Sequence, residues 1–62
     1  MRLINPLVAR LAFQARSDGE VIVPEVKAEK LGLHKAGIRA WINSACVAVD
    51  YRVGYVVLRK EG

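Results

Sequence analysis

Apolar side chains in the first third of the chain recur at helical spacing. Between residues 7 and 16 they form one stripe, made of Leu7, Val8, Leu11, Ala12 and Ala15, as on the buried face of an amphipathic helix. Asn5 is a favourable N-cap, and Pro6 suits the first helical position, where its missing N–H is not needed. The pattern therefore predicts a helix that ends before Gly19.

The same segment also alternates with a period close to two. A strand would place on one face the residues Leu7, Ala9, Leu11, Phe13 and Ala15, of which Ala9 and Phe13 lie off the helical stripe. Because the cap residues favour a helix, we predict a helix here and expect Ala9 and Phe13 to lie outside its core face.

Two further helices are predicted in the middle of the chain. Residues 21–23, Val-Ile-Val, are a β-branched run typical of a short strand. Pro24 to Leu31 predicts a helix stopped by Gly32 in the left-handed conformation. Apolar residues at helical spacing predict another helix over residues 35–45, with Ile38, Trp41, Ile42 and Ala45 on the side that faces the core.

The last third of the chain has the pattern of a β-hairpin. Strand-forming residues 47–51 and 55–58 flank Arg52-Val53-Gly54, so a hairpin is expected over residues 46–60 with Arg52 at its tip. The order of elements is helix, strand, helix, helix, strand, strand. This order predicts a single α+β domain over residues 1–62.

Composition excludes several classes of protein. With 62 residues the core is small, and the one cysteine cannot form an internal disulfide. One His and one Cys cannot complete a structural zinc site, so we expect neither a metal nor a cofactor. No apolar run approaches the roughly 20 residues of a membrane span. There is no secretory signal pattern, and an unpaired cysteine favours a cytoplasmic location.

The sequence offers no catalytic constellation. The six acidic residues are scattered among basic neighbours, and His34 has no second ligand or base nearby in the sequence. Cys46 is interpreted as a small buried residue at a helix-to-strand junction. We therefore expect a protein that is not an enzyme.

Charge and motif together indicate a binding function. A net charge of +4 and a pI near 9.7 suit contacts to phosphates, provided that a motif places the charge on one face. Ala28-Glu29-Lys30-Leu31-Gly32-Leu33, followed by Ile38 and Trp41, resembles a helix-turn-helix. With the preceding strand and the following hairpin, residues 5 to 60 resemble a small winged helix-turn-helix domain with three helices and a C-terminal wing.

Two positions depart from the family pattern. Lys27 stands where the family commonly has an apolar side chain, a place that Val26 would take instead. His34 stands where Ser or Thr usually caps the second helix of the motif.

The resemblance implies a small transcriptional regulator that binds double-stranded DNA. Helix 35–45 would enter the major groove, because the second helix of this motif is the recognition helix. Arg can contact guanine and Asn can contact adenine. The DNA-binding residues expected are Lys35, Ala36, Arg39, Ala40 and Asn43 on this helix, Lys27 and Lys30 as backbone anchors, and Arg52 on the wing.

Three alternatives or additions remain open. The chain is also similar to the AbrB-type swapped-hairpin regulators. The similarity lies in Gly-Glu-Val-Ile-Val-Pro at 19–24, Leu-Gly-Leu at 31–33, Gly37 and the segment 54–60. That family implies a β-barrel dimer that also binds DNA, with residues 7–16 as its first strand.

A winged helix can also serve as a protein-interaction module or as a small subunit of a nucleic-acid-processing assembly. Finally, a homodimer contact is expected through the N-terminal residues Phe13, Ala9, Met1, Leu3 and Ile4.

Overall fold

A computed structural model describes residues 5–61, which form three helices and a three-stranded antiparallel sheet. The elements are α1 (Pro6–Asp18), β1 (Glu20–Pro24), α2 (Glu25–Leu31), α3 (Ala36–Ser44), β2 (Val47–Arg52) and β3 (Tyr55–Lys60). The strand order is β1-β3-β2, so the last strand of the chain is the central one. The α+β class and the order of elements predicted from the sequence are confirmed.

The first helix begins as its cap predicts. The Asn5 side chain accepts a hydrogen bond from the Leu7 amide at 2.9 Å, and Pro6 is the first helical residue. Residues 7–16 are therefore helical. The swapped-hairpin alternative needs a strand over these residues and is therefore wrong. The Asn5 cap satisfies a backbone N–H that the first turn of a helix leaves without an intrahelical partner, which favours the helix.

The period-3.6 stripe of α1 is buried, with one correction. Val8, Ala12 and Ala15 are 0–2% exposed, whereas Leu7 is 49% exposed although it was assigned to the same stripe. Leu7 lies in the first turn of α1 and lines a surface depression with Arg10, Leu11, Gln14 and Lys27, and Leu11 of the same stripe is partly buried. Phe13 is 66% exposed, in agreement with its position off the stripe.

The segment between α2 and α3 is a tight, hydrogen-bonded turn. Gly32 ends α2 with φ +75°, a conformation that glycine adopts without the steric cost of a Cβ. The Leu33 amide donates to the Ala28 carbonyl at 3.0 Å, and the Leu33 side chain is fully buried. Val26 does not replace the missing apolar residue at position 27, since it is 67% exposed; Ala28 and Leu31 alone form the buried side of α2.

The core lies between one face of the sheet and the helices. Val23 of β1 pairs with Val56 of β3, and Leu58 of β3 pairs with Val21 and Val49. Fully burying one such aliphatic side chain contributes about 1.5–3 kcal/mol. The largest side chains that are buried completely are Leu33, Ile42, Leu58, Val8, Val23, Val47 and Val56.

The hairpin and the junction before it differ from the predictions in two details. Val53 and Gly54 form the turn, with Gly54 at φ +85°, so Arg52 is the last residue of β2 and not the tip. Cys46 is exposed, not buried, and has φ +65°. Its amide donates to the Asn43 carbonyl, and its carbonyl accepts from the Glu61 amide, both at 3.0 Å. Within residues 5–61, every helix is too short to cross a membrane.

Candidate nucleic-acid interface

One face of α3 is exposed to solvent and includes two small side chains. Ala36, Arg39, Ala40 and Asn43 are exposed and recur at spacings of three and four residues, which places them on one side of the helix. Ile42 is fully buried on the other side. The helix contains no acidic residue. This face therefore carries one cation, Arg39, and one amide, Asn43, together with the small side chains of Ala36 and Ala40, as the sequence predicted.

Arg39 is held by an aromatic residue that the sequence analysis did not assign to the site. Its guanidinium carbon lies 5.7 Å from the centre of the Tyr51 ring, in a cation–π contact. The Tyr51 hydroxyl donates to the Leu33 carbonyl at 2.5 Å, and the His34 ring stacks on Tyr51 with centroids 5.1 Å apart. Tyr51 thus connects β2 to the turn and to α3. The only sequence signal for it is an aromatic side chain with a polar end in a half-buried strand.

Lys35 lies at the N-terminus of α3, where it was expected. It is the N-cap residue, and its side chain makes no capping bond. A Cβ on Gly32 would be 3.4 Å from Lys35 Cδ, so the aliphatic part of Lys35 passes over the turn. Its amide donates to the Gly32 carbonyl at 3.0 Å. The Lys35 side chain therefore lies against the turn that precedes α3. His34, the expected cap position, lies one residue before the observed cap.

The two lysines of α2 are not equivalent. Lys30 is exposed in the last turn of α2. Lys27 borders α1: it lines a shallow depression of about 230 Å³ together with Leu7, Arg10, Leu11 and Gln14. The structure therefore places Lys27 beside Arg10 on α1.

The wing cation predicted from the sequence has an acidic partner. The Arg52 guanidinium is 2.7 Å from the Asp50 carboxylate, and both side chains are more than a third exposed. A second pair on the same face of the sheet joins Arg59 to Glu20 at 3.9 Å. Among the described residues, these are the ion pairs found, and neither includes Lys27, Lys30, Lys35 or Arg39. The charge of Arg52 is thus partly offset, whereas the cations of α3 and the turn are not.

A group of possible metal ligands lies beside the turn, against the expectation that His34 has no second ligand nearby. Carboxylate oxygens of Glu25 and Glu29 and an imidazole nitrogen of His34 lie within 4.8 Å of one another, and all three residues are exposed. The two glutamates are one helical turn apart on α2, and the Gly32 turn brings His34 back towards them.

A comparison of the chain with protein-family models, curated proteins and solved structures found no match.

Proposed function

We propose that this chain is a small, non-catalytic protein that binds double-stranded DNA as a winged helix-turn-helix domain and acts as a transcriptional regulator. The order α1-β1-α2-α3-β2-β3 and the sheet order β1-β3-β2 support this assignment. In this assignment α3 is the second helix of the helix-turn-helix and the β2–β3 hairpin is the wing.

The observation that carries the proposal is the exposed face of α3. Ala36 and Ala40 keep the helix thin enough for the major groove, whose width of about 12 Å admits one helix. Arg39 has a side chain that can make bidentate contacts to guanine, and Asn43 has one that can make them to adenine. The contact with Tyr51 restricts Arg39 before DNA arrives, which reduces the entropy lost on binding.

The positive charge next to this face supplies the phosphate contacts. Lys30 and Lys35 flank the turn, and neither is among the observed ion pairs of residues 5–61. Lys27 and Arg10 form a separate basic site near α1. If about five phosphates are neutralised, the logarithm of the binding constant falls with the logarithm of salt concentration with a slope of about −4.5.

Fluorescence anisotropy with a mixed-sequence duplex at several salt concentrations tests the proposal. We expect binding at low salt with the slope given above, and a tighter complex with a selected duplex. Arg39→Ala should cost about 1–3 kcal/mol on the selected duplex and reduce discrimination between sequences. Arg16→Ala is the matched control, since it removes the same charge from α1, outside the proposed face.

The variants must first be compared in thermal unfolding, because the cation–π contact of Arg39 contributes about 0.5–1 kcal/mol to stability at an exposed site. A folded Arg39→Ala protein that binds every duplex as well as the Arg16→Ala control would exclude α3 as the recognition helix. Absence of binding at low salt would exclude the function itself.

A protein-interaction module is the second candidate. Several large apolar side chains are exposed away from α3, namely Phe13 (66%), Ile22 (60%) and Val26 (67%). Exposed apolar surface of this kind is typical of protein contacts. This candidate takes precedence if the anisotropy experiment detects no DNA binding.

A further inference from the structure

We propose that Glu25, Glu29 and His34 form a binding site for a divalent transition cation of the zinc class. The proposal does not depend on DNA binding, because it concerns only α2 and the turn that follows. The sequence gives no sign of it, since the nearest glutamate is five positions before His34 and no metal-binding motif is present.

The positions of the ligand atoms are the first argument. One oxygen from each glutamate and one imidazole nitrogen lie within 4.8 Å of one another. Around a zinc ion with ligand distances of about 2.0–2.2 Å, the ligand atoms are separated by roughly 3–4 Å. Both glutamate side chains are exposed, so small rotations bring their oxygens to these separations from the His34 nitrogen without disturbing the core.

The types of ligand select the class of ion. Imidazole nitrogen with carboxylate oxygen suits zinc and similar first-row cations, whereas magnesium and calcium prefer oxygen ligands only. Three protein ligands leave at least one coordination position for water, as in other open zinc sites.

The surroundings of His34 are the second argument. Its ring stacks on Tyr51 at an interplanar angle of 24°, and Tyr51 is itself fixed by its hydrogen bond to the Leu33 carbonyl. The imidazole is therefore held in one orientation before the ion binds, which reduces the entropy lost in forming the site. A bound ion would join α2 to the turn and offset the repulsion between two carboxylates one helical turn apart.

Calorimetric titration of the untagged full chain with zinc chloride tests the site. We expect one ion per chain, much weaker binding of magnesium, and an increase in Tm of about 11–22 °C when free zinc is about a hundred times Kd. His34 is the only histidine in the chain, so its imidazole resonances can be observed without ambiguity by NMR. They should shift with the same zinc dependence.

Two variants remove ligands while sparing the fold. His34→Phe keeps a ring to stack on Tyr51, and Glu25→Gln with Glu29→Gln changes only exposed atoms. Each should weaken zinc binding by at least about tenfold, since even the loss of groups that merely orient ligands costs 10–100-fold. Glu20→Gln removes an acid from β1 and should bind zinc as the unmodified chain does.

Cys46→Gly distinguishes the proposed site from binding at the exposed thiol, and it should retain full zinc affinity. Loss of binding in Cys46→Gly would overturn the proposal. Unchanged affinity in the His34 or glutamate variants, or His34 resonances that do not respond to zinc, would overturn it as well.

Discussion

Replacing Cys46 with glycine should stabilise the protein. Cys46 connects α3 to β2 with φ +65°, and it is the one non-glycine residue with positive φ among residues 5–61. For an L-residue this conformation costs about 1–2 kcal/mol, because Cβ approaches the following carbonyl oxygen. Glycine has no such contact. The exposed thiol contributes little burial, so its removal forfeits little.

The expected gain is smaller than the full strain. Glycine loses more conformational entropy on folding than other residues, which costs about 0.5–1 kcal/mol. The difference leaves a stabilisation of about 0.5–1 kcal/mol. For a domain of this size, about 1 kcal/mol changes Tm by 4–8 °C, so the increase should be about 2–8 °C.

Thermal unfolding followed by far-ultraviolet circular dichroism measures this change, and Cys46→Ala is the matched control. Alanine also lacks the thiol but keeps Cβ, so its Tm should remain close to that of the unmodified chain. If the glycine variant is no more stable than the alanine variant, backbone strain at this junction does not explain the conformation. The reasoning would then be refuted.

Three further predictions concern the site and the surface. Tyr51→Phe removes the hydrogen bond to the Leu33 carbonyl and should lower the free energy of unfolding by about 0.5–1.5 kcal/mol in urea denaturation; an unchanged midpoint would show that the bond contributes nothing. Arg52→Ala should weaken binding to all duplexes by a similar factor and reduce the salt slope by about one. Because the ion pair between Arg52 and Asp50 is exposed, the same variant should change the free energy of unfolding by less than about 1 kcal/mol. We expect the unmodified chain to dimerise through a contact that includes the exposed Phe13, so that Phe13→Ser is monomeric in light scattering. A monomeric unmodified chain at high micromolar concentration would contradict this contact.

The elements could be predicted because their signals are local. Asn5 and Pro6 decided between helix and strand for residues 7–16, and the cap bond to Leu7 is present. Gly32 stopped α2 in the left-handed conformation as expected. The dimer contact proposed for the N-terminal segment is only partly described, since Met1, Leu3 and Ile4 lie outside residues 5–61.

The site was predicted where it depends on one helix and missed where it depends on several elements. The spacing of Arg39 and Asn43 on α3 is a property of the sequence. The contact between Arg39 and Tyr51 joins α3 to β2, and no periodicity reports such a contact. The residue type of Cys46 predicts burial, whereas the side chain is exposed at a junction with positive φ, a backbone conformation that residue type does not indicate.

The central position of β3 has a consequence for how the chain folds during synthesis. Both β1 and β2 pair with β3 and not with each other. The pairing of β1 with β3 joins residues far apart in the sequence, such as Glu20 and Arg59. As the ribosome releases the chain from its N-terminus, α1 and β1 emerge without a partner for the edge of β1. The sheet can close only after residues 55–60 have emerged, across a long loop whose closure slows folding. We therefore expect residues 5–61 to fold in one cooperative step, and only once β3 has left the ribosome.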